Sequence, residues 1–261
     1  MFPSIYLNPF NMLMVARGGA YAEHRHIGIQ LTLTLEDHPF ELWTPKDGWR
    51  ETKAVLINSN IPHSLRKLDG WHVICSMVPG LLQGKELKEK VLKGSPVCYL
   101  DIGRFDAHLD KLLSLRESQF QTEGEFLDCV QQVFNGCLDH PWFRKPLDER
   151  VARVVEQINS RVSCNFSAAE LAASVHLSED RFLHLFKEQM GTPLRAYIQS
   201  QRLGFAFSLI LNGMSSKEAA YEAGFSDPAH FSRTFSQLTG GTPSYFSALK
   251  QVMRMTCFVN G

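Results

Sequence analysis

Two stretches of this chain, 49 residues apart, carry the same order of residue types, and that repetition limits what the C-terminal half can fold into. The first runs Ser178-Glu179-Asp180-Arg181-Phe182-Leu183-His184-Leu185-Phe186-Lys187 and leaves through Gly191-Thr192-Pro193. The second runs from Gly224-Phe225-Ser226-Asp227-Pro228 through Ala229-His230-Phe231-Ser232-Arg233-Thr234-Phe235 to Gly240-Gly241-Thr242-Pro243. Phe182 matches Phe231, Phe186 matches Phe235 and Gly191 matches Gly240 at the same spacing, as expected of a duplicated structural unit.

Each unit reads as two helices around a tight turn. In the second, a helical pattern over Ser215 to Ala223 meets Gly224, which tolerates positive φ. Ser226 or Asp227 then supplies a cap, and Pro228 sits where a missing N–H does no harm. Phe231 and Phe235, four apart, share a core-facing side, leaving Ala229, Ser232 and Arg233 on another. Two helices joined by a short turn make a helix-turn-helix. Two such units predict two insertions into successive major grooves, about 34 Å apart along one face of the duplex.

From about Pro146 to Phe246 the chain resembles the DNA-binding domain of the AraC/XylS family of bacterial transcription regulators. The likeness rests on Phe166-Ser167-Ala168-Ala169-Glu170-Leu171-Ala172, on Phe186-Lys187-Glu188-Gln189-Met190-Gly191 with Thr192-Pro193, and on the run from Ala223-Gly224-Phe225 to Pro243. It implies motifs at about 167–190 and 215–239, joined by a long helix over Leu194 to Leu211 that ends at Asn212-Gly213. The expected DNA-contacting residues are Arg181, Leu183, His184 and Lys187 in the first unit, with Ser226, Ala229, His230, Ser232 and Arg233 in the second. The family frequently has an arginine where this chain has His184.

Charge gives little support by itself. The formal net charge is zero, and from Pro146 onward there are 11 Lys and Arg against 10 Asp and Glu. A basic footprint must therefore be local, with Arg181, Lys187, Arg195, Arg202 and Arg233 as its candidates.

The N-terminal half reads as β-structure. Ile27 to Leu35 alternates apolar with small or polar residues, and Phe40 to Thr44, Lys53 to Ile57 and His72 to Val78 follow, separated by turn clusters. Many short strands indicate a small barrel or jelly roll. This half resembles the cupin-like sensor domain that often precedes the AraC-type module, with His24-Arg25-His26 and Ile61-Pro62-His63-Ser64 as landmarks. The fold class expected is therefore α+β: a cupin-like barrel with a helical hairpin, then an all-α domain.

Two readings of the barrel's histidines stand side by side. In metal-binding cupins a His-x-His pair, a carboxylate and a distant His converge on one ion, for which His24, His26, Glu36, His38 and His63 are the candidates. Alternatively the histidines line an effector pocket or lie on the surface. Family sensor domains commonly hold no metal, so neither metal nor cofactor is expected. The effector-binding set is then His24, His26, Gln30, Trp43 and His63.

Amphipathic patterns over Phe105, Leu109, Leu112, Leu113 and Arg116, and again from Phe126 to Cys137, predict a helical hairpin. The family resemblance implies that it forms a homodimer; the alternative is that it only covers the barrel. Domains are expected at 1–140 (sensor), 141–147 (linker), 148–250 (DNA-binding) and 251–261 (tail). The six cysteines lack zinc spacing, and most read as buried thiols. No leader pattern or long apolar run is present, giving an expectation of a cytoplasmic, non-membrane protein. The function expected is a non-enzymatic, effector-responsive transcription regulator that meets RNA polymerase if it activates. The alternatives are a cupin-type metal-dependent enzyme, or a cysteine-based sensor using Cys129 and Cys137, with an attached DNA-binding module.

Overall fold

The computed structural model describes residues 3–8, 10–26, 28–78, 82–139, 147–239, 242–249 and 254–258. The linker expected at 141–147 therefore lies outside the described residues except for Leu147, as do Gly240 and Gly241.

Eleven strands are described: β1 (Ser4–Leu7), β2 (Asn11–Arg17), β3 (Tyr21–His24), β4 (Ile29–Thr34), β5 (Phe40–Thr44), β6 (Gly48–Thr52), β7 (Ala54–Ile57), β8 (His63–Arg66), β9 (Trp71–Met77), β10 (Val97–Tyr99) and β11 (Arg254–Cys257). A seven-stranded sheet in the order β10-β7-β4-β9-β2-β1-β11 faces a four-stranded sheet in the order β3-β8-β5-β6. The alternation in β4 has two buried faces rather than one wet one. Ile29, Leu31 and Leu33 pack into a core with the helical hairpin. Gln30, Thr32 and Thr34, all buried, are in register with Ile57, Val55, Ile74 and His72, so they face the second sheet.

Between β9 and β10 lie α1 (Leu82–Glu86) and a π-helical turn, Leu87–Leu92. The hairpin follows as α2 (Asp106–Ser114) and α3 (Glu123–Asn135), the latter capped by Thr122, which accepts from the Glu125 N–H at 3.2 Å. Phe105 and Leu112, expected at a dimer contact, are fully buried within their own chain. The barrel takes up that apolar surface, which corrects their assignment; Leu109, Leu113 and Arg116 stay partly exposed.

The C-terminal helices are α4 (Glu149–Asn159), α5 (Ala168–Ser174), α6 (Glu179–Met190), α7 (Leu194–Leu211), α8 (Ser216–Glu222), α9 (Pro228–Thr239) and α10 (Pro243–Leu249). Asp148 caps α4, accepting from the Arg150 N–H at 3.0 Å. The long helix has the predicted bounds. Gly204 within it faces β11, whose Cys257 thiol donates to the Gly204 carbonyl at 3.7 Å.

The tail is a structural element. β11 pairs in parallel with β1, Arg254 N–H donates to Pro3 O and Phe258 N–H to Leu7 O, and Phe258 stacks on Phe126. The chain's C-terminal strand thus completes the N-terminal sheet. Buried Cys75, Cys129 and Cys137 have thiols pushed up by desolvation, Cys129 to about 11. Desolvation favours the protonated thiol, the less nucleophilic form, which counts against a Cys129/Cys137 sensor. Among the described residues, no helix is long and apolar enough to cross a membrane.

Candidate nucleic-acid interface and barrel chamber

The two helix-turn-helix units are built by the same local chemistry. Ser167 and Ser215, 48 residues apart, cap α5 and α8 by accepting from the N–H of Glu170 and Glu218. Only the second closes a full capping box, in which the Glu218 carboxylate reaches back to the Ser215 N–H at 3.3 Å. Both turns then fold back through one bond, Leu177 N–H to Ala172 O at 3.0 Å and Phe225 N–H to Ala220 O at 2.9 Å. Preceding these donors, His176 and Gly224 both take positive φ, 57° and 81°. The repeat is 48 up to this point and 49 after it, so Ser226 is the inserted residue.

The caps that follow occupy matching positions but differ in chemistry. In the second unit Asp227 accepts from the Ala229 N–H at 2.8 Å, whereas Ser178 makes no side-chain cap bond. Phe182 and Phe186 on α6, like Phe231 and Phe235 on α9, are fully buried. The opposite faces are open: Arg181, His184 and Lys187 on α6 are exposed and Leu183 half-buried, while Ser226, Ala229, His230 and Arg233 around α9 are exposed and Ser232 half-buried. The exposed members of each expected set lie away from the buried aromatic pair, whereas Leu183 packs against the core of the first unit and Ser226 lies before the start of α9. Asp180 is also exposed in the first turn of α6, next to Arg181.

Arg233 lies 3.5 Å from the Asp227 carboxylate, with 66% of its side chain exposed. An ion pair so open to water contributes little and leaves the guanidinium free to exchange partners. Arg202 differs from its expected role. It donates to the carbonyls of Val162, Cys164 and Gly224 and to Asn165 Oδ1 at 2.8–3.4 Å, which makes it a strut under the second turn rather than part of a basic footprint.

In the barrel, β3 ends at His24 and His26 lies beyond it. The three rings nevertheless converge: β3 pairs His24 with His63 on β8, and His26 approaches both. Ring centroids are 4.4 Å apart for His24 and His63, 5.2 Å for His26 and His63, and 5.7 Å for His24 and His26. His26 Nε2 lies 2.7 Å from Gln30 Oε1, and Gln30 Nε2 donates to Thr32 Oγ1 at 3.0 Å. Desolvation lowers the pKa of His26 and brings that of His63 down to about 3 and of His72 to about 4, so these rings are neutral at physiological pH.

Three expected chamber residues fall elsewhere. Trp43 alternates with the inward Leu42 and is in register with Trp49 and Ser64, which puts it on the outer face of the four-stranded sheet. Glu36 accepts from the Trp71 N–H at 3.3 Å, and His38 is exposed; neither belongs to the histidine cluster. The sequence reading missed a cleft of about 610 Å³, partly open to solvent, between barrel and α7, lined by Leu7, Met12, Met77, Leu203, Phe207 and Cys257 among others. It depends on β11, a four-residue strand with no pattern to announce it.

Comparison with known proteins supports the C-terminal reading. Residues 171–248 match a family model described as a helix-turn-helix domain. The arabinose operon regulatory protein of Escherichia coli K12 is 34% identical over 105 residues, 40% of this chain and 36% of that protein. The virulence regulon transcriptional activator VirF of Yersinia enterocolitica is 41% identical over 64 residues, 24% of each chain. The chain thus covers little more than a third of the length of these curated relatives at most. Among solved structures, ToxT from Vibrio cholerae O395 aligns over 92% of this chain and 97% of its own, at 16% identity and a TM-score of 0.49.

Proposed function

We propose that this chain, which belongs through its C-terminal domain to the AraC/XylS family of bacterial transcription regulators, is a sequence-specific regulator whose N-terminal barrel senses a small molecule. The observation that carries the reading is the pairing of α6 and α9: duplicated helices, each with a sealed aromatic face and an open polar one. Arg233 reads a base, since arginine makes bidentate bonds to guanine O6 and N7, while Arg181 and Lys187 hold phosphates. His184, Leu183, Ser226, Ala229, His230 and Ser232 complete the two contact surfaces.

The sensing reading rests on the polar cluster of His24, His26, Gln30 and His63, three of them buried, between the barrel's two sheets. Its route to the DNA-binding half is short. Phe207, Phe231 and Phe235 share a core with Ile5, Leu7 and Met14 of the barrel. An effector that favours one arrangement of these parts by about 1–3 kcal/mol changes DNA affinity from several-fold to roughly a hundredfold. Homodimerisation through the remaining exposed stripe of Leu109, Leu113 and Arg116, action in the cytoplasm, and contact with RNA polymerase if the protein activates complete the proposal.

Selection of duplexes from a random pool by the full-length protein, followed by titration over a range of salt, tests this function. Enrichment of a site spanning two grooves, bound far more tightly than scrambled DNA, is expected. A pool with no enriched sequence, or affinity equal for all duplexes, contradicts it. A thermal-shift screen of metabolites on the intact chain checks the sensor, because a ligand that prefers the native state raises Tm.

A further inference from the structure

The cleft between the barrel and α7 takes part of its room from a glycine. Ser200, Leu203, Gly204 and Phe207, at i, i+3, i+4 and i+7, are the α7 residues that line it, so a side chain at position 204 would point into it. Glycine weakens a helix interior, yet α7 runs unbroken through Gly204, and the missing side chain leaves space beside Phe207. Met12 of β2 and Met77 of β9 line the cleft from the barrel, and β11 contributes Cys257. A volume of about 610 Å³ where the two halves of the chain meet is the size and the place of a small-molecule site.

The lining chemistry narrows what could enter. Its described residues include no Lys, Arg, Asp, Glu or His, so an ion would leave water there without a partner. Behind the lining the Glu123 carboxylate accepts from Asn8 Nδ2 at 2.9 Å, which disfavours an anion further. Much of the polar lining is already engaged: Asn8 Oδ1 accepts from the N–H of Phe10 and of Asn11 at 3.0 and 2.8 Å, and Ser200 donates to Tyr197 O at 2.8 Å. Ser76 Oγ, half-buried on β9, donates to no described residue. Met12 and Met77 supply flexible, polarizable walls that adapt to an apolar shape.

We propose that this cleft binds a neutral, mostly apolar small molecule with one hydrogen-bonding group, a hydroxyl or carbonyl that meets Ser76 Oγ. It is a second ligand site, apart from the histidine cluster, none of whose rings lines it. A molecule seated there touches the barrel, α7, β11 and Phe235 of α9 together, and so fastens the second helix-turn-helix unit to the barrel. Binding is read from the cleft alone; only its effect on DNA rests on the function proposed above.

The test uses the full-length protein and the neutral fluorophore N-phenylnaphthylamine, which brightens in apolar surroundings. Octanol and octanoate compete with it at about pH 7.5, where the acid is ionised. One probe per chain is expected, displaced by octanol at a concentration at least about tenfold below that needed of octanoate. Gly204→Leu, which fills the cleft and favours the helix, should lower probe affinity at least about tenfold. Ser76→Ala should weaken octanol about two- to tenfold, the loss of one hydrogen bond. Circular dichroism checks that both variants fold, and Ser76→Ala decides the matter if Gly204→Leu does not. No saturable probe binding, unchanged probe affinity in folded Gly204→Leu, octanoate competing as well as octanol, or octanol unaffected by Ser76→Ala overturns the proposal. DNA titration of the same samples separates the two readings: probe binding without sequence-specific DNA binding leaves this site standing and removes the regulator, and the converse removes only the site.

Discussion

The two helix-turn-helix units share caps, turn and aromatic pair, yet they are anchored differently. The first closes a core of its own, in which Phe182 and Phe186 meet Val151, Val154, Ile158 and Tyr197, with Phe10 stacked on Tyr197 as a contact from the N-terminal half. The second shares its core with the barrel, and β11 carries its C-terminal extension into the barrel's sheet. The same motif can therefore serve as a nearly free-standing reader in one place and as the moving part of a sensor in another. What distinguishes them is which surface the non-motif side of each unit covers.

The largest effects expected come from breaking each anchor. Phe235→Ala and Phe186→Ala each remove a fully buried ring and cost about 3–5 kcal/mol. Trp43, Trp49 and Trp71 report on the barrel, so tryptophan fluorescence during thermal unfolding, in a Trp142→Phe background that removes the fourth tryptophan, separates the two variants. Phe235→Ala lowers the barrel's transition, and Phe186→Ala leaves it in place; equal shifts would erase the distinction.

Acid should separate the units in the same way. His72, buried in β9, has its pKa lowered to about 4 by desolvation, so the unfolded chain takes up its proton first. Stability is then full above about pH 6.5 and declines as pH falls toward 4, by roughly 3 kcal/mol from this one group. Denaturant titrations at stepped pH check this. The barrel and the second unit should weaken together, while the first unit, whose His176 and His184 are exposed, follows less closely.

The turns provide a finer contrast. A Cβ at Gly224 would meet the Ser163 carbonyl oxygen at 2.8 Å, and the residue is at positive φ, so Gly224→Ala should cost about 1–3 kcal/mol. His176 occupies the matching position as a strained L-residue, and His176→Gly should gain up to about 1 kcal/mol. Chemical denaturation of both variants measures the difference. Smallest of all, Arg181→Ala should weaken binding evenly across DNA sequences and lower the salt slope by about 1, as loss of a phosphate contact does; a sequence-dependent loss would assign it to base reading instead.

Features set by neighbours in sequence were legible before the fold. Serine and aspartate caps, the Asn212-Gly213 stop of α7 and the period-2 pattern of β4 are each written within a few residues. Features set by distant partners were not. Trp43 reads as a pocket wall until strand register turns it outward, and Arg202 reads as surface charge until four oxygens from two other segments surround it. Phe105 and Leu112 form an amphipathic stripe whichever chain covers it. The convergence of His24, His26 and His63 was visible only as a set of candidates, because β3 stops before His26 and the cluster is completed from outside the strand.

The central claim is that α6 and α9 enter neighbouring grooves of one duplex. Hydroxyl-radical footprinting of the full-length protein on its selected site tests this most directly, with Arg233→Ala run beside it. The account predicts two protected blocks about one helical turn apart, of which Arg233→Ala loses only one. A single block, or equal loss of both in the variant, would contradict it.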